Sequence, residues 1–308
     1  MWQPSQDTVA WIFMTDRFDG KAIIGVTDRR KKKSKQKLQN KKMEITTMNN
    51  YLDKVFDTPN KKAFIAFLTA GDPDADSTVK FILEMEKAGA DLIEIGIPFS
   101  DPTAEGVVIQ EANIRSLSNG MTTDGVFEIV KRVREQSEIP LAFMTYVNPV
   151  FHYGYEKFFS KCEELGISAI IIPDVPYEEK AEVEAPAKAH GVKVISMIAP
   201  TSESRIRQIA SEAEGFIYVV SSMGVTGVRS EIKTNLPAIV ESIRTVTDVP
   251  CAIGFGISTP EQAKAMASIS DGAIVGSAIV KIIAKYGKDA APYIGEYVKS
   301  MKEAVAEA

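Results

Sequence analysis

The chain has 308 residues, of which 45% are hydrophobic, 25% charged and 8% aromatic, a composition that excludes disordered, collagen-like and mini-protein classes. Residues 1–42 carry 11 Lys/Arg and 4 Asp/Glu, whereas residues 43–308 carry 25 and 37, and an acidic body argues against nucleic-acid binding. The only cysteines are Cys162 and Cys251, and the only histidines are His152 and His190. We therefore expect no disulfide framework and no metal centre built on these residues, and acid-base chemistry falls to carboxylates or tyrosine.

The first 47 residues differ in character from the rest. A basic run, RRKKKSKQKLQNKK at 29–42, follows a stretch without a sustained apolar period, so we expect residues 1–47 to form a disordered basic extension and 48–308 to form the catalytic domain. The segment does not fit a secretion signal, and no run of 18 apolar residues occurs, so we expect a cytoplasmic protein that does not enter a membrane. The alternative interpretation of the basic run is a nuclear or RNA-binding tail.

From residue 63 onward, short apolar runs alternate with amphipathic segments, which is the pattern of βα units around a parallel sheet. The eight predicted strands are 63–69, 91–96, 141–146, 169–173, 192–199, 215–221, 250–256 and 272–276. Glycines that fit left-handed helix ends occur at Gly89, Gly166, Gly191 and Gly215. Eight strands with eight following helices predict a single (β/α)8 TIM barrel. A doubly wound open sheet is the alternative, although no GxGxxG follows the first strand.

The second predicted strand contains a carboxylate among apolar residues. Glu94 lies in LIEIGIP, where ionisation is costly unless the carboxylate is paired, so its pKa should be raised toward that of a proton donor. The alternative is a salt bridge to a neighbouring strand. Glu105 follows in a loop rich in Pro and Gly, where carboxylates are more often solvated than catalytic, and it is a candidate for a second acid-base group.

Three glycine-containing strand exits near the end of the chain predict a phosphate site. They are SSMGVTGVRS after the sixth strand, GFGIS after the seventh and VGSAIVKII after the eighth. Backbone amides left free at glycine and a helix N-terminus near Ser277 would together cradle an anion. The candidates are Gly254, Gly256, Gly276 and Ser277. Tyr218 lies in the sixth strand, where it is either a packed barrel residue or a site residue.

Several motifs together resemble the alpha subunit of tryptophan synthase. They are FLTAGDP (67–73), DLIEIGIPFSDPTAEG (91–106), IIPDVP (171–176), VSSMGVTGVRS (220–230), GFGIS (254–258) and VGSAIVKII (275–283). The resemblance covers about residues 48–306, and it implies a lyase of tryptophan biosynthesis. That family cleaves indole-3-glycerol phosphate to indole and glyceraldehyde 3-phosphate by a retro-aldol step, with no metal or cofactor in this subunit.

The resemblance also implies roles for individual residues. Glu94 matches a proton-shuttling glutamate, Glu105 matches the carboxylate that holds the indole N–H, and Tyr218 matches an active-site tyrosine. The family usually has aspartate at the position of Glu105, so this chain places its carboxylate one methylene further from the backbone. Phosphate contacts are expected from Gly227, Gly256, Gly276 and Ser277, and the indole slot from Phe67, Met144, Ile171 and Phe255. Thr226 is expected in a loop that closes over the substrate and holds Glu105.

The resemblance finally implies a partner. The family forms an alpha-beta-beta-alpha heterotetramer in which indole passes to a pyridoxal phosphate site, and that cofactor belongs to the beta subunit. The residues expected to face the beta subunit are Pro98, Asp101, Asn148 and Pro176. Two alternatives stay open at this stage. One is another phosphate-binding barrel, such as a sugar-phosphate isomerase or a prenylglyceryl phosphate synthase, and the other is a regulatory subunit whose chemistry is impaired by Glu105.

Overall fold

A computed structural model describes residues 51–58, 61–221, 235–254 and 256–308. Nine strands form one sheet in which every pairing is parallel. The strands are β1 (Ala63–Thr69), β2 (Leu92–Gly96), β3 (Leu141–Met144), β4 (Ile167–Ile171), β5 (Lys193–Val194), β6 (Ser196–Ile198), β7 (Ile217–Val220), β8 (Cys251–Gly254) and β9 (Gly272–Val275). The predicted extension, residues 1–47, lies outside the described residues.

Helices connect the strands and cover the outside of the sheet. They are α1 (51–56), α2 (Ala75–Lys87), α3 (Val107–Ser118), α4 (Thr123–Arg134), α5 (Val147–Tyr153), α6 (Tyr155–Leu165), α7 (Lys180–Ala189), α8 (Glu203–Ser211), α9 (Leu236–Arg244), α10 (Pro260–Ser268), α11 (Ser277–Tyr286) and α12 (Ala291–Ala306). Short 3-10 turns occur at Tyr177–Glu179 and Gly287–Asp289. Within the described ranges, no helix is both long and apolar enough to cross a bilayer.

The sheet closes on itself, which confirms the predicted barrel and excludes the open sheet. The first strand, β1, pairs with β2 on one side and with the last strand, β9, on the other. The predicted fifth strand is interrupted at Ile195. Its first part, β5, pairs with β4, and its second part, β6, pairs with β7, so nine strand segments occupy eight barrel positions. The Ile195 N–H still donates to the Ile170 carbonyl, 2.9 Å away, across the interruption.

Successive side chains of each strand point alternately into and out of the barrel, so the apolar core has an inner and an outer layer. Inside the barrel, small side chains such as Ala142, Ala169 and Ala252 pack with larger ones such as Ile65 and Leu92. Outside, the opposite faces of the strands pack against the helices in a larger apolar cluster. Helix α1 closes the amino end of the barrel, where the ring centroids of Phe56 and Phe216 lie 5.8 Å apart. Burial of each large apolar side chain contributes roughly 1.5–3 kcal/mol.

One glycine explains where β4 begins. Gly166 ends α6 in the left-handed conformation, with φ 69°, and its N–H donates to the carbonyls of Cys162 and Glu163. The chain therefore turns directly into β4 at Ile167, two residues before the predicted start of that strand. The other three predicted helix-end glycines also have positive φ, which confirms their turns. Both cysteines, Cys162 and Cys251, are buried and unpaired.

Candidate active site

A cavity of about 550 Å³ opens at the carboxyl ends of the strands. In parallel barrels this end carries the functional residues, because the loops that follow the strands converge there. Eight residues predicted from the sequence to be catalytic or to bind the substrate line the cavity. They are Phe67, Glu94, Glu105, Met144, Tyr218, Gly256, Gly276 and Ser277. The structure therefore brings together residues that are up to 210 positions apart in the chain.

Glu94 is an unpaired carboxyl group inside the barrel. It lies between Phe67 of β1 and Ala142 of β3 in the register of the sheet, and it is 0% exposed. Neither of its carboxyl oxygens has a hydrogen-bond partner among the described residues. Burial raises the pKa of Glu94 to about 8, so the group is mostly protonated at neutral pH. The alternative of a salt bridge to a neighbouring strand is therefore wrong within the described structure.

Tyr218 lies close to Glu94 in the cavity. It belongs to β7, where it is paired with Met197 of β6 and Ala252 of β8. Burial, together with the charge of Glu94, raises the pKa of Tyr218 far above its usual value, so the phenol keeps its proton. The ring passes close to the backbone of Gly254, where a Cβ atom would lie 2.4 Å from the phenol oxygen. A glycine at this position is therefore needed for the ring to occupy its observed place.

Glu105 is the second acidic residue of the cavity, and its surroundings differ from those of Glu94. Asn113 Nδ2 donates to Glu105 Oε2 at 2.7 Å, and the Tyr146 hydroxyl forms another hydrogen bond with the same carboxyl group. The loop is also held through its backbone, since Gln110 Nε2 donates to the Glu105 carbonyl at 2.7 Å. Burial raises the pKa of Glu105 to about 7, while the two side-chain hydrogen bonds oppose the rise.

Sequence reasoning missed Asn113 and Tyr146. Asn113 lies on α3, a helix that was not predicted because its start follows a Pro/Gly-rich loop and Gly106 provides no side-chain cap. Tyr146 follows β3 by two residues and shares the inward side of that strand with Met144, a signal that was available in the alternation of the predicted strand. Both residues contact Glu105, so the site extends beyond the motifs.

The predicted phosphate cradle lies where β8 and β9 end. Gly276 immediately precedes α11, which begins at Ser277, and both residues line the cavity. No side chain caps the start of this helix, so its first backbone N–H groups are available to bind an anion. Gly256 has φ 74°, a conformation that favours glycine. A Cβ atom on Gly276 would lie 3.0 Å from the Phe67 ring, so this glycine also makes room for the aromatic side chain. Thr226, Gly227 and Phe255 lie outside the described residues.

The remaining predicted positions have varied exposure. Ile171 is fully buried in the inner cluster, while its neighbour Ile172 lines the cavity. Of the residues expected to face a partner, three are exposed, namely Asp101, Asn148 and Pro176. Pro98 is buried, so in this structure it offers no surface to a partner. The three exposed residues therefore remain predicted partner contacts.

Comparison with known proteins gives a consistent result. The family model for the tryptophan synthase alpha chain matches residues 54–306. A tryptophan synthase alpha chain from Lacticaseibacillus casei is 48% identical over 246 residues, which is 80% of this chain and 92% of the relative. A solved alpha chain from Legionella pneumophila has a TM-score of 0.74 at 34% identity and covers 84% of this chain and 96% of its own.

The similar structures also include a complex. The alpha subunit in the tryptophan synthase α2β2 complex from Pyrococcus furiosus has a TM-score of 0.72 at 34% identity, and it covers 78% of this chain and 98% of its own. The family match spans nearly the whole barrel, and the relatives are matched over nearly their full length. The chain therefore belongs to the tryptophan synthase alpha chain family.

Proposed function

We propose that Glu94, Glu105 and Tyr218 carry out the reaction of this family in the cavity of the barrel. As a member of the family, the chain is a carbon–carbon lyase of tryptophan biosynthesis that cleaves indole-3-glycerol phosphate to indole and glyceraldehyde 3-phosphate. The observation that carries the assignment is that two carboxyl groups share the cavity in different surroundings: Glu94 is fully buried without a hydrogen-bond partner, and Glu105 is half-buried and hydrogen-bonded.

The first step is the protonation of the indole ring. Glu94 in its protonated form delivers a proton to ring carbon C3, which produces an indole cation. The raised pKa of about 8 supports this role, because the group holds a proton at neutral pH and can release it to the ring. The Glu105 carboxylate accepts a hydrogen bond from the ring N–H and stabilises the positive charge that develops there.

The second step breaks the carbon–carbon bond. Glu94, now a carboxylate, accepts the proton of the hydroxyl group on the carbon that is leaving. The electrons of that O–H bond form the aldehyde C=O, and the electrons of the broken C–C bond return to the ring and neutralise the cation. Indole and glyceraldehyde 3-phosphate are then complete, and Glu94 carries its proton again. The cycle consumes no proton and needs no cofactor or metal in this subunit.

Tyr218 and the glycine turns hold the substrate. The Tyr218 phenol keeps its proton, so it can donate a hydrogen bond to a substrate oxygen beside Glu94. Gly256, Gly276 and Ser277 bind the phosphate through backbone N–H groups and the start of α11. Phe67 and Met144 provide apolar walls for the indole ring. The predicted contributions of Ile171, Thr226, Gly227 and Phe255 remain part of the proposal.

The proposed partner is a beta subunit. The solved complex from Pyrococcus furiosus shows that a similar alpha subunit assembles as α2β2. We infer the same heterotetramer here, with pyridoxal phosphate in the beta subunit and with Asp101, Asn148 and Pro176 on the contact surface. Indole is channelled to the beta subunit, and direct transfer suits an apolar product that would otherwise partition into membranes. A cytoplasmic location is part of the proposal and agrees with two unpaired cysteines.

The decisive experiment is to measure indole release from indole-3-glycerol phosphate by the purified chain, with and without a cognate beta subunit. We expect indole release by the chain and tryptophan formation in the presence of the beta subunit and serine. If cleavage is absent while the chain still stimulates the beta reaction from free indole, the chain is a regulatory subunit. If both activities are absent, another phosphate-binding barrel becomes the better assignment.

A further inference from the structure

The Glu105 carboxylate is held by two side chains that are themselves almost inaccessible. Asn113 is 4% exposed and Tyr146 is 1% exposed. The Tyr146 oxygen accepts a hydrogen bond from the Ala104 N–H at 3.1 Å, so its own proton is available for the Glu105 carboxylate. Asn113, on α3, donates to Glu105 Oε2 at 2.7 Å. A carboxylate on a loop is usually solvated, but this one is fixed by one donor from α3 and one that follows β3.

We propose that Asn113 and Tyr146 are positioning residues that hold the longer side chain of Glu105 at the distance from the indole nitrogen that cleavage requires. The inference rests on the proposed role of Glu105 in binding the ring N–H. Asn113 donates to Oε2, and with about four acceptor positions the carboxylate can accept the ring N–H in addition to both donors. The two donors remove the freedom that an additional methylene would give a loop side chain, so the carboxylate is presented in one place.

Both donors are attached to rigid parts of the barrel. Helix α3 is fixed near Asn113 by Arg115, whose Nε and Nη2 donate to the two carboxyl oxygens of the buried Asp72 at 2.8 and 2.7 Å. The next residue, Ser116, donates to the Ala70 carbonyl at 2.6 Å. Asp72 and Ala70 follow β1, so the position of Asn113 is set by the barrel itself.

Tyr146 is fixed in a similar way. It lies two residues after β3, at the start of α5, and its ring centroid lies 5.5 Å from that of Phe99. Because neither donor can follow a shorter side chain, an aspartate at position 105 would withdraw its carboxylate from them by roughly one C–C bond length, about 1.5 Å. Misplacement on that scale is expected to reduce turnover substantially.

The two hydrogen bonds also act on the protonation of Glu105. Burial raises the pKa of this group to about 7, and donation from Asn113 and Tyr146 favours the ionised form and limits the rise. Removing either donor should therefore raise the pKa further and reduce the fraction of ionised carboxylate at neutral pH. A residue that only supported the fold would leave the pH dependence of the reaction unchanged.

The first test uses Asn113→Ala and Tyr146→Phe in the full chain assembled with a beta subunit. We expect kcat for indole release to fall about tenfold to hundredfold, with a smaller change in KM, because stabilisation of the ring cation is greatest in the transition state. The acidic limb of the kcat profile should move to higher pH. Tyr146→Phe keeps the aromatic ring and its packing and removes only the hydroxyl group, so it tests the proposal even if Asn113→Ala does not fold.

The matched control is Asn119→Ala, at the C-cap of the same helix. The Asn119 amide donates to the Pro73 carbonyl at 2.8 Å and does not contact Glu105. This variant should keep both the turnover and the acidic limb of the unaltered chain. If Asn119→Ala shifts the limb as much as Asn113→Ala does, the effect comes from helix α3 as a whole, and the proposal is wrong.

The second test is a double-mutant cycle between positions 105 and 113. With Glu105 present, Asn113→Ala should cost about tenfold or more in kcat, whereas with Glu105→Asp it should cost less than about threefold, because the shorter carboxylate is already out of reach. Equal losses in both backgrounds would overturn the proposal. Glu105→Ala separates the two levels of inference. If that variant is fully active, the assigned role of Glu105 fails; if it is inactive while both donor variants behave normally, only the positioning proposal fails.

Discussion

Two acidic residues lie along β2, Asp91 immediately before the strand and Glu94 at its middle, and their surroundings are opposite. Asp91, just before the strand, accepts from the Phe64 N–H at 2.8 Å, from Lys302 Nζ at 2.6 Å and from Lys61 Nζ at 2.7 Å. Glu94, three residues later, has no partner for either oxygen within the described structure. The Asp91 side chain is 8% exposed and Glu94 is fully buried, so the burial of the carboxyl groups alone does not separate them.

The difference between Asp91 and Glu94 corresponds to the opposite ends of the barrel that they face. At the amino end, the barrel is closed by α1, and a buried charge there is stabilised by paired cations and a backbone donor. At the carboxyl end, Glu94 faces the cavity, and its unpaired state keeps a proton available for the substrate. Three positions along the chain thus separate a charge that supports the fold from a carboxyl group that reduces stability in favour of reactivity.

The largest effect is expected for Glu94→Gln. Glutamine fills the same space but cannot transfer a proton, so indole release should fall by a factor on the order of 10²–10⁴. Binding of a phosphate-bearing substrate analogue should stay within about threefold of that of the unaltered chain, because the cradle at Gly276 is untouched. Steady-state kinetics and titration calorimetry provide the two measurements. Retained turnover would show that Glu94 is not the proton carrier.

The same variant should also be more stable at alkaline pH. In the unfolded chain Glu94 ionises near 4.5, whereas in the folded chain it ionises near 8, so the folded state loses stability as the pH rises between those values. Glutamine does not ionise, and Glu94→Gln should therefore gain on the order of 2–4 kcal/mol at pH 9 relative to the unaltered chain. Urea unfolding at pH 5 and pH 9 would measure this, with the gain confined to the higher pH.

A smaller effect is expected for Gly254→Ala, which disturbs the carboxyl end without removing a reactive group. The new methyl group would lie 2.4 Å from the Tyr218 oxygen, so the ring must move away from Glu94. We expect kcat to fall about tenfold to hundredfold and the free energy of unfolding to fall by about 1–3 kcal/mol. Gly125→Ala is the control, since its added Cβ would press only on the flexible end of Met121 and would lie at an ordinary contact distance, 3.5 Å, from Thr122 Oγ1. Full activity of Gly254→Ala would contradict the packing argument.

Much of the fold followed from the sequence because it depends on local patterns. The repeating apolar runs and amphipathic segments predicted the barrel, and positive φ was predicted at Gly89, Gly166, Gly191 and Gly215 from their places at helix ends. The interruption at Ile195 was not predictable in this way. Each part of that strand begins with a polar residue and ends with an apolar one, Val194 or Ile198, and only their pairing with different neighbours, β4 and β7, shows that they are separate.

A site residue could be predicted from the sequence where its polarity differs from that of its neighbours. Glu94 stands among apolar neighbours in one strand, so its cost of ionisation is visible in the sequence. Asn113 gave no such signal, because an asparagine on a helix is ordinary and its contact with Glu105 depends on how α3 packs. Tyr218 was ambiguous between packing and chemistry until its position beside Glu94 was known.

The pH dependence of activity compares the two carboxyl groups of the site, Glu94 and Glu105. Glu105 must be ionised and Glu94 protonated, and their pKa values of about 7 and about 8 define a bell-shaped profile for kcat/KM of the free chain. Activity should fall about tenfold per unit below pH 7, as Glu105 gains a proton, and by a similar factor above pH 8, as Glu94 loses its own. A profile that is flat between pH 6 and 9 would rule out this pair as the acid and base.

The smallest effect on catalysis is expected for Asp91→Asn, immediately before β2. The amide oxygen can still accept from the Phe64 N–H, but the lysine ammonium groups of Lys61 and Lys302 lose their counter-charge. The free energy of unfolding should fall by about 1–3 kcal/mol, whereas kcat and both pH limbs should stay within about twofold of the unaltered chain. Glu128→Gln, which removes an exposed i,i+3 pair with Lys131, should change neither quantity measurably. A large loss of kcat in Asp91→Asn at a temperature where the variant is folded would mean that positions 91 and 94 are coupled, and the separation of stability from chemistry along this strand would not hold.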